Sequence, residues 1–474
     1  MRVREVWLHV VDLHAGGCEQ EQEADVVDRE GCAVDDVLVV GGGIGGLATA
    51  LALRRSGFSV RVLERAPEFS EVGAGIQLAP NATRLLRAWD LLEPMLDVGI
   101  RPKRLVLSDA FTGAELTAMD LGSPFADRYG APYVVLHRTD LLDVLLEACR
   151  AAGVVLENDR SVATVTSDAD VASVELTDGA KYSASLVVAA DGLWSTLRRY
   201  LSDDEPDVSG FVAYRGAVPL TDAKRHASLE EVQVYVGPGI HLVQYPVRGG
   251  NMYNQVAVFR SQLYLEGEAE WGTADELYCT FADTCDAVRE SVDSLRSDQR
   301  WTMYDRAPID TWVAGRLVLL GDAAHPMLQY LAQGACQAFE DAAVLTDSLR
   351  RFAPDGPRHP EQLAHALGAY VDHRQPRTAR AQRNARRWGE IWHTDGIARL
   401  LRNEIFALRD ATDYRHADWL FERAPGLAED GVRTSDSGAT GPAGSGGAAT
   451  TEPVRRPLRW RRVASDRGNS DGED

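Results

Sequence analysis

Residues 37–46 read Val37-Leu38-Val39-Val40-Gly41-Gly42-Gly43-Ile44-Gly45-Gly46, and this stretch decides the fold. Four apolar residues in a row suit a strand buried on both faces of a parallel sheet. Gly41, Gly43 and Gly46 then form G-x-G-x-x-G, the pattern of a strand turning sharply into a helix around a pyrophosphate. Gly41 permits the tight turn, Gly43 lets backbone approach the phosphates, and Gly46 lets helix and strand pack closely. Ile44, Leu47, Ala48 and Leu51 fall on one face of a 3.6-residue period, which predicts the helix. Gly57 ends it, and Val60-Arg61-Val62-Leu63 is the second strand of a βαβ unit. Glu64 closes that strand, where an acid meets ribose hydroxyls.

Two later segments repeat the theme of a strand ending beside Asp and Gly. Leu186-Val187-Val188-Ala189-Ala190 runs into Asp191-Gly192-Leu193-Trp194-Ser195, and Leu319-Leu320 into Gly321-Asp322-Ala323-Ala324-His325-Pro326. Between these landmarks, Thr139 is placed to cap a helix bearing Leu141, Leu142, Leu145 and Leu146, and Asp178-Gly179 reads as a hairpin turn. Residues 211–259 are strand-like, and helical patterns run from Phe339 to about Glu422. The fold class expected is α/β: a Rossmann-like FAD-binding domain interleaved with a mixed β-sheet substrate domain and C-terminal helices. The boundaries read as an extension at 1–34, the nucleotide domain at 35–210 and 300–350, the substrate sheet at 211–299, helices at 351–424, and a Gly/Ser-rich disordered tail at 425–474.

Composition narrows the class. A formal net charge of −21 argues against nucleic acid and anionic membranes as partners. Six cysteines, none in a C-x-x-C pair, argue against a disulfide framework and against a zinc site, so no metal is expected. No apolar stretch is long enough to span a bilayer, and the start lacks the layout of a signal peptide. A cytoplasmic protein is the expectation.

The order G-x-G-x-x-G, then D-G-x-x-S, then G-D-A-A-H-P resembles the single-component FAD-dependent aromatic hydroxylases, the class A flavoprotein monooxygenases. The resemblance spans about Val37 to Arg423. It implies that Gly41, Gly43, Gly46, Glu64 and Arg65 hold the ADP half of FAD. It implies FAD contacts at Gln77 in Gly73-Ala74-Gly75-Ile76-Gln77, at Arg138, at Gly321 and Asp322 toward the ribityl chain, and at Gly334 and Ala335 against the isoalloxazine ring. Asp191, Gly192 and Arg198 resemble a segment between FAD and the nicotinamide cofactor. NADH is the implied co-substrate and O2 the oxidant. There is a single dinucleotide fingerprint and no C-x-x-x-x-C, unlike a two-domain disulfide reductase.

Gln329, Tyr330 and Gln333, with His241-Leu242-Val243-Gln244-Tyr245-Pro246 and Pro132-Tyr133, look most like the 3-hydroxybenzoate 6-hydroxylases, which make gentisate. His241 and Tyr245 are four apart on a predicted strand, so they share a face with Cα atoms about 13 Å apart. That spacing leaves room for a small benzoate. His241 titrates near neutrality and can take a phenol proton, which sends electron density to the para carbon for attack on a flavin C4a-hydroperoxide. Gln329 is the candidate to hold the phenol oxygen, and Tyr245 and Tyr133 to orient ring or carboxylate. A lone strand histidine or tyrosine is more often packing than chemistry, and the resemblance tips these readings. Salicylate 1-hydroxylase or another phenolic-acid hydroxylase stays open, as do an FAD-dependent reductase or oxidase without oxygen insertion, and a flavin-binding protein without turnover. A homodimer is the family's expectation.

Overall fold

The computed structural model describes residues 34–70, 74–223, 226–424 and Leu427. But for Val34 and Leu427, the expected extension and tail lie outside the described residues. The nucleotide half is an eight-stranded sheet of β1 (Asp35–Val40), β2 (Val60–Leu63), β7 (Val155–Glu157), β8 (Val162–Ser167), β9 (Ala172–Leu176), β10 (Lys181–Ala189), β16 (Val313–Ala314) and β17 (Leu317–Leu319). Its spine runs β16-β17-β10-β1-β2-β7. From β17 to β7 this spine is parallel, with Val39 opposite Val188 on one side and Val62 on the other. Such strands are covered on both faces, which is why Val37, Leu38 and Val39 have no exposure.

The first helix, Ile44–Arg55, is buried beyond the one face that its period predicts. It is clamped between the helices Gly334–Phe352 and Arg138–Ala152, so Ala50, Ala52 and Leu53 are enclosed too. The Asp178-Gly179 turn joins β9 to β10 as expected, with Gly179 at φ +87° and the Asp178 carboxylate accepting from the Ala180 N–H. Thr139 does not cap its helix. That helix begins at Arg138 with His137 as N-cap and no side-chain cap. The strand β3 (Gly75–Leu78), paired with β6 (Val134–His137), brings the Ala74 carbonyl to the Arg138 N–H at 3.0 Å, so backbone meets one of the orphan donors of the first turn.

The second sheet has seven strands in the order β15-β11-β14-β13-β12-β4-β5. They are β4 (Arg104–Asp109), β5 (Glu115–Asp120), β11 (Asp207–Pro219), β12 (Glu231–Gly237), β13 (Ile240–Val247), β14 (Met252–Arg260) and β15 (Trp301–Asp305). It therefore outgrows the 211–299 span expected from sequence. The β4–β5 hairpin supplies a parallel neighbour to β12, and β15 pairs with β11, so neither long strand is left with a bare edge. The C-terminal helices start at Gly334 and include Pro360–Trp392, which carries Pro376 inside it. No helix among the described residues is long and apolar enough to cross a membrane.

Candidate active site

A cavity of about 700 Å³ lies between the nucleotide half and one face of the seven-stranded sheet. Its size falls in the range of ligand pockets. The nucleotide side begins with the glycine turn. Gly41 sits at φ +108°, and a Cβ there would stand 2.4 Å from the Ala190 carbonyl oxygen. A Cβ on Gly46 would stand 2.0 Å from the Gly41 carbonyl oxygen. These two shape the turn without facing the cavity. Gly43, Ile44 and Gly45 form its wall, so the first-turn backbone of the helix Ile44–Arg55 is presented to whatever binds.

Gln77 on β3, Arg138, Gly192, Gly321, Asp322, Gly334 and Ala335 also line the cavity. Asp322 belongs to a tight turn that Gly321 enters at φ +60°. Its side chain is exposed to the cavity, yet the enclosing walls raise its carboxyl above the ordinary range, although His325 and Arg138 pull the other way. The turn is braced from behind. Asp341 accepts from the Gly321 N–H at 3.0 Å and from His325 Nε2 at 2.6 Å. Arg374, with no exposure, donates to Asp341 at 2.6 Å, to Glu340, and to both the carbonyl and side chain of Gln337. Arg377 and Asn81 complete the partners of Glu340. His325 thus supports the turn, as its position before Pro326 suggests.

Other expected cofactor residues stand off the wall. The Glu64 carboxylate accepts from the N–H groups of Gly42 (2.7 Å) and Ala66 (2.8 Å), so it ties the loop to β2. Arg65 is exposed away from the cavity, and Asp191 is set behind its neighbours Ala190 and Gly192. Asp191 accepts from the N–H groups of Thr196 and Leu197 through one oxygen, while its other oxygen is buried and unpartnered. Arg198 is held inside the protein and is not on the cavity wall. It is fully buried, paired with Asp204, and donates to the carbonyls of Ala323 and Ala324 beneath the Asp322 turn. Arg199 is held by Glu205 at 3.1 Å.

The residues present fit a dinucleotide. A glycine turn excludes Cβ atoms, two helix N-termini open on the cavity, and the buried Nε2 of Gln333, on its wall, has no partner. Gly43–Gly45 would hold the phosphates, Asp322 the ribityl hydroxyls, and Gly334–Ala335 the ring.

On the opposite wall the structure gathers the expected substrate residues. His241, Tyr245, Tyr133 and Gln329 all line the same cavity. His241 and Tyr245 share a face of β13, as their spacing predicts. Tyr245 lies against Gly75 so closely that a Cβ there would be 2.4 Å from its ring. The Tyr133 hydroxyl donates to Gln77 Oε1 at 2.7 Å. Burial raises the phenol pKa of both tyrosines, so at neutral pH they stay hydrogen-bond donors. Gln329 stands on the wall as an exposed side chain, while its neighbour Tyr330 packs against His241 with ring centroids 5.4 Å apart. His241 is 1 % exposed, and its Nε2 is buried without a partner. Burial, then the neighbouring His393, push its pKa well below the usual value, so it is a neutral imidazole.

Three features on the wall or directly behind it went unread in the sequence. Arg215 on β11 lines the cavity, forms no ion pair among the described residues, and leaves its Nε buried and unpartnered. Burial and the nearby Arg138 lower its pKa to about 10, so it remains a cation. Trp392 closes over His241 at 5.2 Å, and His393 hydrogen-bonds to it. The only signal for Arg215 was a charged residue in the otherwise uncharged run Phe211–Val218; His393 had none, being 152 residues from its partner.

A family model described as an FAD binding domain matches residues 35–385. The chain is 39% identical over 388 residues to a 3-hydroxybenzoate 6-hydroxylase of Polaromonas naphthalenivorans (strain CJ2), covering 81% of this chain and 95% of that one. It is 37% identical over 394 residues to a 3-amino-4-hydroxybenzoate 2-monooxygenase of Streptomyces cremeus, covering 83% and 96%. Among solved structures, Klebsiella pneumoniae HpxO complexed with FAD and uric acid superposes with a TM-score of 0.70 at 26% identity, covering 82% and 97%.

Proposed function

The chain belongs to the FAD-dependent aromatic monooxygenases, and from that premise we propose that it hydroxylates 3-hydroxybenzoate at the 6-position, para to the phenol, giving gentisate. The observation that carries the reading is His241: a neutral imidazole on the cavity wall whose buried Nε2 has no protein partner. With the proton on Nδ1 this nitrogen is an acceptor, and a phenol O–H is a donor that suits it. FAD, when bound, supplies a ring that NADH reduces and from which one oxygen atom of O2 reaches the substrate. The balance is one NADH, one proton and one O2 consumed per phenolic acid hydroxylated, with NAD+ and water released.

The chain's own residues do the rest. His241 Nε2 accepts the phenol proton, and the phenolate gains electron density at its para carbon. Arg215 faces the cavity as a cation without an acid partner, which suits the substrate carboxylate. Tyr133 and Tyr245 act as neutral donors that orient the ring, and Gln329 holds the phenol oxygen from the other side. The enclosing Tyr330 and Trp392 keep water from His241. NADH is the preferred reductant: Arg198 is buried against Asp204, and the exposed Arg199 stands beside Glu205, whose charge disfavours a 2′-phosphate there.

Purified yellow protein is the test. NADH oxidation should accelerate with 3-hydroxybenzoate, and chromatography should show 2,5-dihydroxybenzoate in near-equal amount to the NADH used. A catechol from salicylate with no turnover of 3-hydroxybenzoate would move the assignment to a salicylate 1-hydroxylase. Equal efficiency with NADPH would overturn the reductant.

A further inference from the structure

A proton accepted by His241 enters a closed box. Tyr330 and Trp392 stand against the imidazole, and the residue is 1 % exposed. Its Nδ1 meets Nε2 of His393 at 2.8 Å, with the two rings inclined by 24°. His393 follows the last turn of the helix Pro360–Trp392 and is only partly buried. It is pinned on three sides. Its ring stacks on Phe211 at 4.7 Å, its N–H donates to the Gly389 carbonyl, and its carbonyl accepts from the Gly239 N–H in the β12–β13 turn.

Two neutral imidazoles in contact share one N–H between them, so the pair has two neutral arrangements. In one, His241 donates through Nδ1 and its Nε2, buried at the cavity wall, is a bare acceptor. In the other, His393 donates through Nε2 and His241 Nε2 carries a proton. These arrangements are the start and end of a single proton passage.

We propose that His393 is the proton exit of the site, a positioning residue through which the substrate's phenol proton leaves for solvent. The proposal rests on the reading that His241 accepts that proton. The phenol O–H bond breaks as His241 Nε2 gains the proton; the His241 Nδ1 proton passes to His393 Nε2; the His393 Nδ1 proton passes to water. When the product phenol re-forms, the same transfers run backwards. No imidazolium has to persist. That matters because burial holds His241 well below its usual pKa, and burial with Arg402 and Arg260 pushes His393 down to about 3.

The test uses the FAD-loaded enzyme, weakly buffered with an indicator dye, mixed rapidly with 3-hydroxybenzoate. Wild type should release about one proton as the substrate binds. A positioned base is worth roughly 10²- to 10⁴-fold. His393→Gln, which can hold His241 in place but cannot pass a proton onward, should forfeit part of that and slow release by roughly 10- to 100-fold, with substrate affinity little changed. His393→Ala should be similarly slow and should regain rate with added imidazole. Release at the wild-type rate in His393→Gln, or slow release in His393→Ala that imidazole leaves unimproved, overturns the exit. A second readout needs no substrate. Nitrogen NMR of the histidine-labelled enzyme should show one ring nitrogen of His241 and one of His393 joined by a hydrogen bond that vanishes in His393→Gln. Absence of that bond overturns the exit whatever the enzyme's substrate. If the bond is present but wild type neither binds nor converts 3-hydroxybenzoate, the substrate assignment fails alone. The dye experiment is then run with 3-amino-4-hydroxybenzoate, whose wild-type and His393→Gln rates decide the exit.

Discussion

Behind the Asp322 turn, Arg374 is completely enclosed and each of its guanidinium nitrogens has an acceptor, in Asp341, Glu340 and Gln337. Across the cavity, Arg215 on the sheet wall has no ion pair among the described residues and a buried Nε without a partner. The two arginines sit in one molecule under opposite rules. The first belongs to a network closed within the protein, which fixes the backbone that meets the cofactor. The second belongs to a wall left open, where polar atoms await a ligand. Closing a network gives rigidity; leaving one open lowers stability in the absence of ligand, because an unmet buried polar group costs about 1–3 kcal/mol.

The comparison breaks most severely at the glycine turn. Gly46→Val would drive a side chain into the Gly41 carbonyl, from which even a Cβ is 2.0 Å away. Backbone cannot yield there without moving β1 against its helix. The expected outcome is a chain that binds no FAD, read from the flavin absorbance of purified protein. Full flavin occupancy would mean that the turn does not govern the site.

Next is the closed network. Arg374→Met leaves Glu340 and Asp341 buried without their shared cation, a loss on the order of 3–5 kcal/mol. Urea denaturation should show the midpoint falling accordingly. The pH dependence sharpens this. Burial would raise the Asp341 pKa, but His325 and Arg374 together hold it at about 2. Its folded pKa lies below the unfolded value of about 3.9, so its contribution is present above about pH 4 and is lost as pH falls toward 2. In Arg374→Met that loss should begin at higher pH. Parallel acid curves for the two proteins would remove Arg374 from the account.

On the open wall, His241→Ala should lower the hydroxylation rate by roughly 10²- to 10⁴-fold while substrate affinity changes far less. NADH oxidation should continue and yield hydrogen peroxide, because reduced flavin still meets oxygen. The measurement is product per NADH. Unchanged coupling would exclude His241 from the chemistry.

The same contrast explains what could be read from sequence. The nucleotide half rests on backbone geometry, and backbone geometry leaves local marks. Gly41, Gly43 and Gly46 beside an apolar run forecast β1 and its helix, and Asp178-Gly179 forecasts a hairpin. His241 and Tyr245 were legible because strand alternation sets both on one face. What stayed hidden depends on tertiary juxtaposition. Nothing near His393 tells that a helix end meets β13, and nothing near Arg198 tells that it lies beneath the Asp322 turn. The β4–β5 hairpin gives no hint in its own sequence that it pairs with β12, more than a hundred residues on. Thr139 failed as a cap because the helix starts one residue earlier, at Arg138, whose N–H meets the carbonyl of Ala74 just before a distant strand.

Arg215 gives the mildest test and the one that separates the two walls most directly. Its guanidinium lies 4.5 Å from the ring centre of Trp301, and Met in its place keeps a flexible, polarisable chain on that ring. What Met removes is the charge. A hydrogen bond to a charged group contributes about 1.5–3 kcal/mol, so affinity for 3-hydroxybenzoate should fall by roughly 10- to 100-fold. The uncharged analogue 3-hydroxybenzyl alcohol should bind nearly as well to Arg215→Met as to wild type. Stability should move in the opposite sense from Arg374→Met: removing an unpaired buried cation should leave the urea midpoint unchanged or raise it. Equal loss of affinity for acid and alcohol would deny Arg215 the carboxylate, and a fall in flavin occupancy instead would assign it to the cofactor. A drop in stability as deep as that of Arg374→Met would mean that the open wall is not open, and that Arg215 has a partner of comparable strength in the folded protein.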